Sequence, residues 1–300
     1  MAERAVARAR RSLGLRHPVE VAVATTGDLP LGEALHRLRL LTKNHGPPVP
    51  GATRFLLTAV LQHQPGSIGI VELRRRAAWS WAASSALQKR LLGGRAAEVT
   101  ALLEPVDTKP VDTLRAGGRG VIIAGVHLGV PFAARFAIAG ALPGLRAFVS
   151  DRTDWFPGEE MGTRDARERR ASLASAAATL RGGGIVYAAV DGRQTSALTS
   201  VVVCGRPIDL GRGVAALARV SRASALPAVA LWTPDGRIVV RFGPPLPGAP
   251  FPESGAKDAE DRWERRWLEE WARWYETIVI SEPDNIRFDG GLWRRRGLLQ

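Results

Sequence analysis

A histidine at the end of a buried strand is the feature that most constrains the fold of this chain. Residues 120–132 read Gly-Val-Ile-Ile-Ala-Gly-Val-His-Leu-Gly-Val-Pro-Phe, so a short apolar run rich in β-branched residues ends in His127. Such runs are typical of strands buried on both faces, as in parallel sheets. Gly129 and Pro131 then predict a turn. Open α/β sheets form their ligand crevice at the carboxyl ends of strands, so we expect a site at His127.

A second segment repeats this plan. Residues 113–127 and residues 179–191 each contain a helix end, a glycine turn, a buried strand and a polar residue at the strand tip, which is Asp191 in the second case. If the two strands are parallel neighbours, His127 and Asp191 emerge at the same edge of the sheet. Many α/β proteins repeat this plan, so the similarity of the two segments alone does not establish a function.

The rest of the chain predicts an α/β fold with a central mixed, largely parallel sheet flanked by helices. After His127 the patterns predict a helix at 132–140, a strand at 145–150, a polar loop at 151–162, a helix at 171–180, a short strand at 201–203, a turn at 205–207, a helix from 213 to about 222, and a hairpin of strands 225–232 and 237–242. Before it they predict helices near 31–42, 52–63 and 95–103, and one or two helices over 70–92.

The last predicted helix, 257–278, carries an aromatic stripe. Its members recur at helical spacing and are Trp263, Trp267, Trp271, Trp274 and Tyr275. From Asp261 to Glu276 the charged residues are five acids and four arginines, unlike the basic face of a helix that lies on a membrane. We therefore expect the stripe to pack in the core.

Composition limits the possible partners. The net charge of +13 favours an anionic partner such as a phosphate-bearing lipid surface. No zinc-finger, basic-zipper or RNP-type motif is present, so we do not expect nucleic acid to be the partner.

The sequence contains no run of 18 apolar residues, so we expect no membrane-spanning helix. The single cysteine, Cys204, excludes an internal disulfide and suits a reducing cytoplasm, and the five histidines show no metal-ligand spacing.

Seven short motifs, in order, give the chain a family resemblance. They are His127-Leu-Gly129, Ala189-Val-Asp191-Gly, Val203-Cys-Gly-Arg-Pro207, Gly211-Arg-Gly-Val-Ala-Ala-Leu-Ala-Arg219, Asp235-Gly236, Pro244-Pro245, and Glu282-Pro-Asp-Asn with Leu292-Trp-Arg-Arg295. In this order they resemble the bacterial late acyltransferases of lipid A biosynthesis and the wider lysophospholipid acyltransferase-like family. The resemblance covers roughly residues 70 to 296.

The resemblance implies a glycerolipid acyltransferase-like fold and an O-acyltransferase. The acyl chain would pass from acyl-CoA or an acyl carrier protein to a hydroxyl of a lipid or glycolipid, without a metal or redox cofactor. His127 would be the general base, with Asp191 beside it, and the enzyme would act in the cytoplasm, peripherally on the inner face of the membrane.

The resemblance also assigns further site residues. An arginine in the segment after the second strand would stabilise the oxyanion, and Arg164 fits its position by count, with Arg152 and Arg167 as alternatives. The matched motif residues Gly129, Gly205, Arg206 and Pro207 are expected to bind substrate.

One position departs from the family pattern. Five residues after the histidine, where the family carries an acid, this chain has Phe132. Either another carboxylate orients His127, with Asp191 as the candidate, or the chain is a catalytically silent homologue that binds lipid or a partner protein. We expect both His127 and Asp191 to lie on the rim of a crevice rather than in the core.

For the domains we predict an N-terminal helical and loop region, 1–69, that packs on an acyltransferase-like α/β domain, 70–300.

Overall fold

The computed structural model of the protein describes residues 17–44, 69–149, 156–163, 165–192, 197–248 and 257–286. Their helices and strands, in chain order, are α1 (Pro18–Thr25), α2 (Leu31–Thr42), α3 (Ile70–Leu92), α4 (Ala96–Thr100), α5 (Lys109–Ala116), β1 (Val121–Gly129), α6 (Pro131–Ala141), β2 (Arg146–Val149), β3 (Glu159–Gly162), α7 (Ala166–Arg181), β4 (Ile185–Ala189), β5 (Leu198–Val203), β6 (Arg206–Gly211), α8 (Gly213–Ser221), β7 (Ser224–Trp232), β8 (Ile238–Phe242) and α9 (Lys257–Ser281), followed by a 3₁₀ turn (Pro283–Asn285). The predicted helix at 52–63 lies outside the described residues.

The predicted α/β fold class is confirmed. A six-stranded sheet has the order β3-β2-β4-β1-β7-β8, in which β3, β2, β4, β1 and β7 are parallel and β8 runs antiparallel to β7. Strands β5 and β6 form a separate antiparallel pair. Helix α6 packs on β1 and β7, and helix α7 packs on β4 and β3. The strand that leads to His127 therefore lies inside the sheet, between β4 and β7.

The burial of β1 and β7 fits their positions inside the sheet, away from its edges. Every residue of β1 except His127 is buried, and every residue of β7 except Ser224 is buried. Continuously apolar strands need cover on both faces, and a central position in a helix-flanked sheet provides it. Shorter strands with polar residues take the edge, where β3 begins with Glu159 and Glu160.

The prediction of a loop over 151–162 is wrong at its end, because Glu159–Gly162 form strand β3. Two adjacent acids disfavour a strand when the sequence is considered alone. Here each acid meets an arginine: Glu159 pairs with Arg146 of β2, and Glu160 lies 3.7 Å from Arg135 of α6. The pairing partners come from elements that are distant in sequence.

The predicted turn at 205–207 is placed too late. The turn consists of Cys204 and Gly205, with φ of 49° and 71°, and strand β6 already begins at Arg206. Two successive positive φ values are typical of the tight turns that suit the twist of a hairpin. Pro207 is accommodated in β6 because this strand has a partner on one side only.

Four of the five members of the aromatic stripe of α9 pack in the core as predicted, and Trp263 is half-buried. Trp267, Trp271 and Tyr275 are almost fully buried, and Trp274 is 8% exposed. The rings of Trp271 and Tyr275 stack with their centroids 5.1 Å apart. The Trp271 indole also donates a hydrogen bond to the Ala124 carbonyl of β1 at 3.5 Å.

The chain divides into two compact units, one of residues 1–101 with 277–300 and one of residues 102–276. The predicted boundary at residue 69 stays a prediction. In the first unit, buried Arg90 donates to the carbonyls of Thr26 and Leu29 and to the Glu98 carboxylate. The second unit contains both sheets. Among the described helices, none combines the length and the hydropathy needed to cross a bilayer.

Candidate functional site

His127 lies in an irregular part of β1. Gly125 pairs with Ala228 of β7 and Gly129 pairs with Ala230, so four residue steps on β1 match two on β7. Extra residues bulge out of the ladder and re-aim the side chains they carry. Gly129 closes the bulge with φ of 60°, and the Val130 N–H then donates to the Ala230 carbonyl at 2.9 Å. His127 thereby leaves the regular ladder at the carboxyl edge of the sheet.

The Asp191 carboxylate is the hydrogen-bond partner of the two polar groups of His127, its backbone N–H and its Nδ1 atom, that leave the strand ladder at this bulge. The backbone N–H of His127 donates to both oxygens of Asp191, at 3.1 and 3.0 Å. The Nδ1 atom of the same residue lies 2.8 Å from Asp191 Oδ1. Because a carboxylate only accepts, Nδ1 carries a proton and the neutral ring has its lone pair on Nε2. Asp191 thus sets both the position and the tautomer of His127.

The expected adjacency of these residues is confirmed, because β1 and β4 are parallel neighbours from Val121 opposite Ile185 to Gly125 opposite Ala189. The His127 side chain is 40% exposed, as expected for a crevice rim. The same expectation is wrong for Asp191, whose side chain is 1% exposed. A buried carboxylate needs several hydrogen bonds to offset the loss of water, and the backbone N–H and the ring of His127 supply them.

Tyr187 of β4 extends the site along the sheet. Its hydroxyl fills the space over Gly125, where the Cβ of any other residue would lie 2.2 Å from the phenol oxygen. Burial raises the pKa of the Tyr187 phenol well above its usual value, with Arg135 opposing this shift and Asp191 adding to it. Tyr187 therefore stays protonated, and it lies within electrostatic range of both Asp191 and Arg135.

Arg135 is a residue that the sequence analysis missed. It is 9% exposed on α6, with its guanidinium 4.9 Å from the centre of the Phe156 ring and 3.7 Å from Glu160. Burial lowers the pKa of the Arg135 guanidinium, against the negative charge of Glu160. A signal for it was present, because Arg135 is the only charged residue of the otherwise apolar helix α6.

We expect Gly125→Ala to lower both stability and activity, because the new methyl group displaces the Tyr187 ring next to the site. The clash is with the side chain of Tyr187, so the smaller side chain of Tyr187→Leu, added to Gly125→Ala, would recover part of the lost stability. A double-mutant cycle of unfolding free energies would show coupling of roughly 1 kcal/mol or more. Strict additivity of the two substitutions would contradict this account of Gly125.

The remaining predicted site residues are not brought together by the described structure. Arg164 and Arg152 lie outside the described residues, and their role stays a prediction. Arg167 is exposed on the first turn of α7, where it lines a cavity with Asp165, Glu168 and Ala171. Gly129 belongs to the site itself, through the bulge.

The motif residues Gly205, Arg206 and Pro207 lie at the turn of the β5–β6 hairpin. No hydrogen bond among the described residues joins this turn to His127 or Asp191. Phe132, in the first turn of α6, is half-buried. In the described ranges no three His, Cys, Asp or Glu side chains are placed to share a metal ion.

Cys204 at the hairpin turn is expected to react slowly with thiol reagents. Burial, followed by the charge of Glu276, raises the pKa of this thiol from 9.0 to about 11. At pH 8 the folded protein then holds roughly a hundredfold less thiolate than the unfolded chain. A chromogenic disulfide reagent, with and without denaturant, measures the two rates, and Glu276→Gln should speed the native reaction. Equal rates for the folded and unfolded protein would contradict the assignment.

The arrangement of His127 and Asp191 has a defined chemical capacity. An exposed imidazole whose Nδ1–H is held by a buried carboxylate can accept a proton at Nε2 while the carboxylate stabilises the resulting positive charge. This capacity is shared by enzymes of many classes and does not by itself identify a substrate. No family model matches this chain, and no curated protein matches it either.

Proposed function

We propose that the protein is an acyltransferase that moves a fatty acyl chain from an acyl thioester to a hydroxyl group of a lipid or glycolipid. The observation that carries the proposal is the pairing of His127 with Asp191 at the carboxyl edge of the sheet, at 2.8 Å. The order of the sequence motifs adds the family resemblance. The donor would be acyl-CoA or an acyl carrier protein, and an acidic carrier would suit a chain of net charge +13.

The proposed reaction assigns one step to each group. The acceptor hydroxyl loses its proton to Nε2 of His127 as its oxygen attacks the thioester carbonyl. The tetrahedral intermediate then expels the thiolate, which takes the proton back from the imidazolium, so that an ester and a free thiol result. Asp191 stabilises the transient imidazolium without accepting its proton.

The oxyanion of the intermediate requires a donor of its own. Arg164 is the proposed donor, on the basis of its position in the sequence. We propose that the protein works in the cytoplasm, on the inner face of the membrane, where both the lipid acceptor and the acyl donor are present.

A second candidate function is that of a catalytically silent homologue that binds lipid or a partner protein. Phe132 favours it, because the residue takes the place of the acid that the resembled family carries. The Asp191 carboxylate weighs against it, because the imidazole already has an orienting partner.

A product search tests the proposal. The pure protein is incubated with acyl-CoA or acyl carrier protein and total polar lipid, and acylated products are sought by mass spectrometry. We expect a product with the wild type and little gain from Phe132→Glu, because His127 is already oriented. No product with any donor, together with activity created by Phe132→Glu, would establish the silent homologue instead.

A further inference from the structure

The Tyr187 phenol points toward the carboxyl edge of the sheet. In the ladder between β1 and β4 the backbone of Tyr187 lies opposite Ile123. Its hydroxyl, however, lies over Gly125, where an added Cβ would be 2.2 Å from the phenol oxygen. The ring therefore leans along the sheet by two residues, in the direction of His127. Because Gly125 has no side chain, it leaves the space next to the site to this hydroxyl.

The hydroxyl also lies near the charged groups of the site. The charges of Arg135 and Asp191 both reach the Tyr187 phenol, and they act on it in opposite directions. Burial is the larger effect and raises the pKa of the phenol well above its usual value. The hydroxyl therefore keeps its proton at neutral pH and offers one hydrogen-bond donor.

This donor is not used within the described structure. Tyr187 is 5% exposed, yet its hydroxyl makes no hydrogen bond to any residue in the ranges that the structure describes. The nearby Asp191 carboxylate accepts from the backbone N–H and Nδ1 of His127 instead. A buried donor without an acceptor lowers stability, so the position of this hydroxyl is better explained by a ligand than by the fold.

The Tyr187 oxygen is not sealed inside the protein. The described side-chain atoms that are both fully enclosed and without a partner belong to other residues, among them Ser80 and Trp267. The Tyr187 oxygen has no partner among the described residues and is not one of these enclosed atoms, so it keeps contact with the surface. His127, two residues beyond Gly125, is 40% exposed. A substrate at the imidazole therefore lies beside an available donor.

The proposed reaction needs such a donor. When the acceptor oxygen attacks the thioester carbonyl, the π electrons of the C–O double bond move onto the carbonyl oxygen and leave a negative charge there. A donor that is fixed in advance stabilises this charge without reorganisation, and a tyrosine hydroxyl can supply it. The proton stays on Tyr187 throughout, so none has to be returned to the phenol. The nearby Arg135 guanidinium adds a positive potential at the same place.

We propose that the Tyr187 hydroxyl is a further catalytic group of this site and donates a hydrogen bond to the carbonyl oxygen of the acyl thioester. This inference rests on the proposed function, in which that oxygen becomes an oxyanion. Arg164 is proposed for the same task from its position in the sequence, and Tyr187 adds a donor from the described structure. The proposal also explains why β1 has a glycine at position 125.

The first experiment compares the stability of Tyr187→Phe with that of the wild type. Phenylalanine keeps the ring over Gly125 and removes only the hydroxyl, so thermal unfolding should show an equal or higher melting temperature. This result would show that the hydroxyl does not serve the fold. A fall of several degrees would mean that the hydroxyl is bonded inside the folded protein, which would overturn the inference.

The second experiment measures initial rates of acyl transfer, with acyl-CoA and with acyl carrier protein as donors. Tyr187→Phe should lower kcat by about 10²-fold, as expected when one oxyanion donor is lost. The KM for the donor should change by less than about threefold, because the bond strengthens only in the transition state. The matched control is Tyr275→Phe, which removes the hydroxyl of the other tyrosine of the chain and should keep kcat within about twofold of the wild type. Unchanged kcat in Tyr187→Phe, or equal losses in both variants, would overturn the inference.

These readings separate the inference from the proposed function. Transfer by the wild type that persists at full rate in Tyr187→Phe refutes the role of Tyr187 and leaves the acyltransferase standing. Absence of transfer in the wild type, with every donor, refutes the acyltransferase, and the role of Tyr187 in it falls as well. Loss of kcat in Tyr187→Phe at an unchanged melting temperature supports both.

Discussion

Asp191→Asn should lower acyl transfer by about 10³- to 10⁴-fold, as expected when a histidine base loses the carboxylate that fixes its tautomer. Both oxygens of Asp191 accept from the backbone N–H of His127, and Oδ1 also accepts from Nδ1. Asparagine replaces one of these oxygens with an NH₂ donor, which cannot accept from the backbone N–H but can donate to an unprotonated Nδ1. If the amide oxygen keeps the backbone bond, its NH₂ group faces Nδ1 and favours the Nε2–H tautomer. Nε2 then has no lone pair with which to accept the substrate proton.

This prediction has a readout that a purely structural defect would not produce. Nitrogen-15 spectra of histidine-labelled protein distinguish the two tautomers, so His127 should change from the Nδ1–H to the Nε2–H form in Asp191→Asn. Because Asp191 is buried, some loss of stability accompanies the change, and melting curves show whether the variant is folded at the assay temperature. The control Asp258→Asn makes the same substitution at an exposed site. Unaltered tautomer and activity in Asp191→Asn would contradict the positioning role.

Gly129→Ala should destabilise the protein by about 3 to 5 kcal/mol, among the larger effects of a single substitution. Gly129 has φ of 60°, and an added Cβ would lie 2.0 Å from the Ala230 carbonyl oxygen. The left-handed conformation alone costs about 1 to 2 kcal/mol for alanine. The carbonyl belongs to the backbone of the interior strand β7, so the clash cannot be relieved by rotating a side chain.

The same substitution at Gly140 gives the matched control. Gly140 lies in α6 with nothing within 4 Å of its added Cβ, and its φ is not positive. Alanine there should stabilise the helix by up to about 1 kcal/mol. Denaturant unfolding of the two variants should therefore show changes of opposite sign. Similar small changes in both would mean that the bulge at His127 does not need a glycine.

Much of the fold could be predicted from the sequence because its signals are local. The apolar runs of β1 and β4, with glycines ahead of each, predicted two buried strands that would bring His127 next to Asp191 if they were parallel neighbours, and the structure pairs them in parallel. The stripe of Trp267, Trp271 and Tyr275 predicted a buried helix face from spacing alone.

The features that could not be predicted depend on contacts between distant segments. Strand β3 forms because Arg146 and Arg135 meet its two acids. The burial of Asp191 follows from the bulge in β1, which turns the His127 N–H toward it. A signal for this bulge was present in Gly125 and Gly129, two residues on either side of His127, because glycines within a strand often mark bulges.

The central claim is that His127 is the base of an acyl transfer, and His127→Ala tests it most directly. The side chain is 40% exposed, so alanine opens no buried cavity, but the buried Asp191 carboxylate loses one of its hydrogen-bond donors. Melting curves therefore establish that the variant is folded at the assay temperature. The measurement is the initial rate of product formation for wild type and His127→Ala under identical donor and lipid concentrations. We predict a fall of at least about 10³-fold, toward the uncatalysed rate. Acyl transfer that persists at the wild-type rate in His127→Ala would contradict the account.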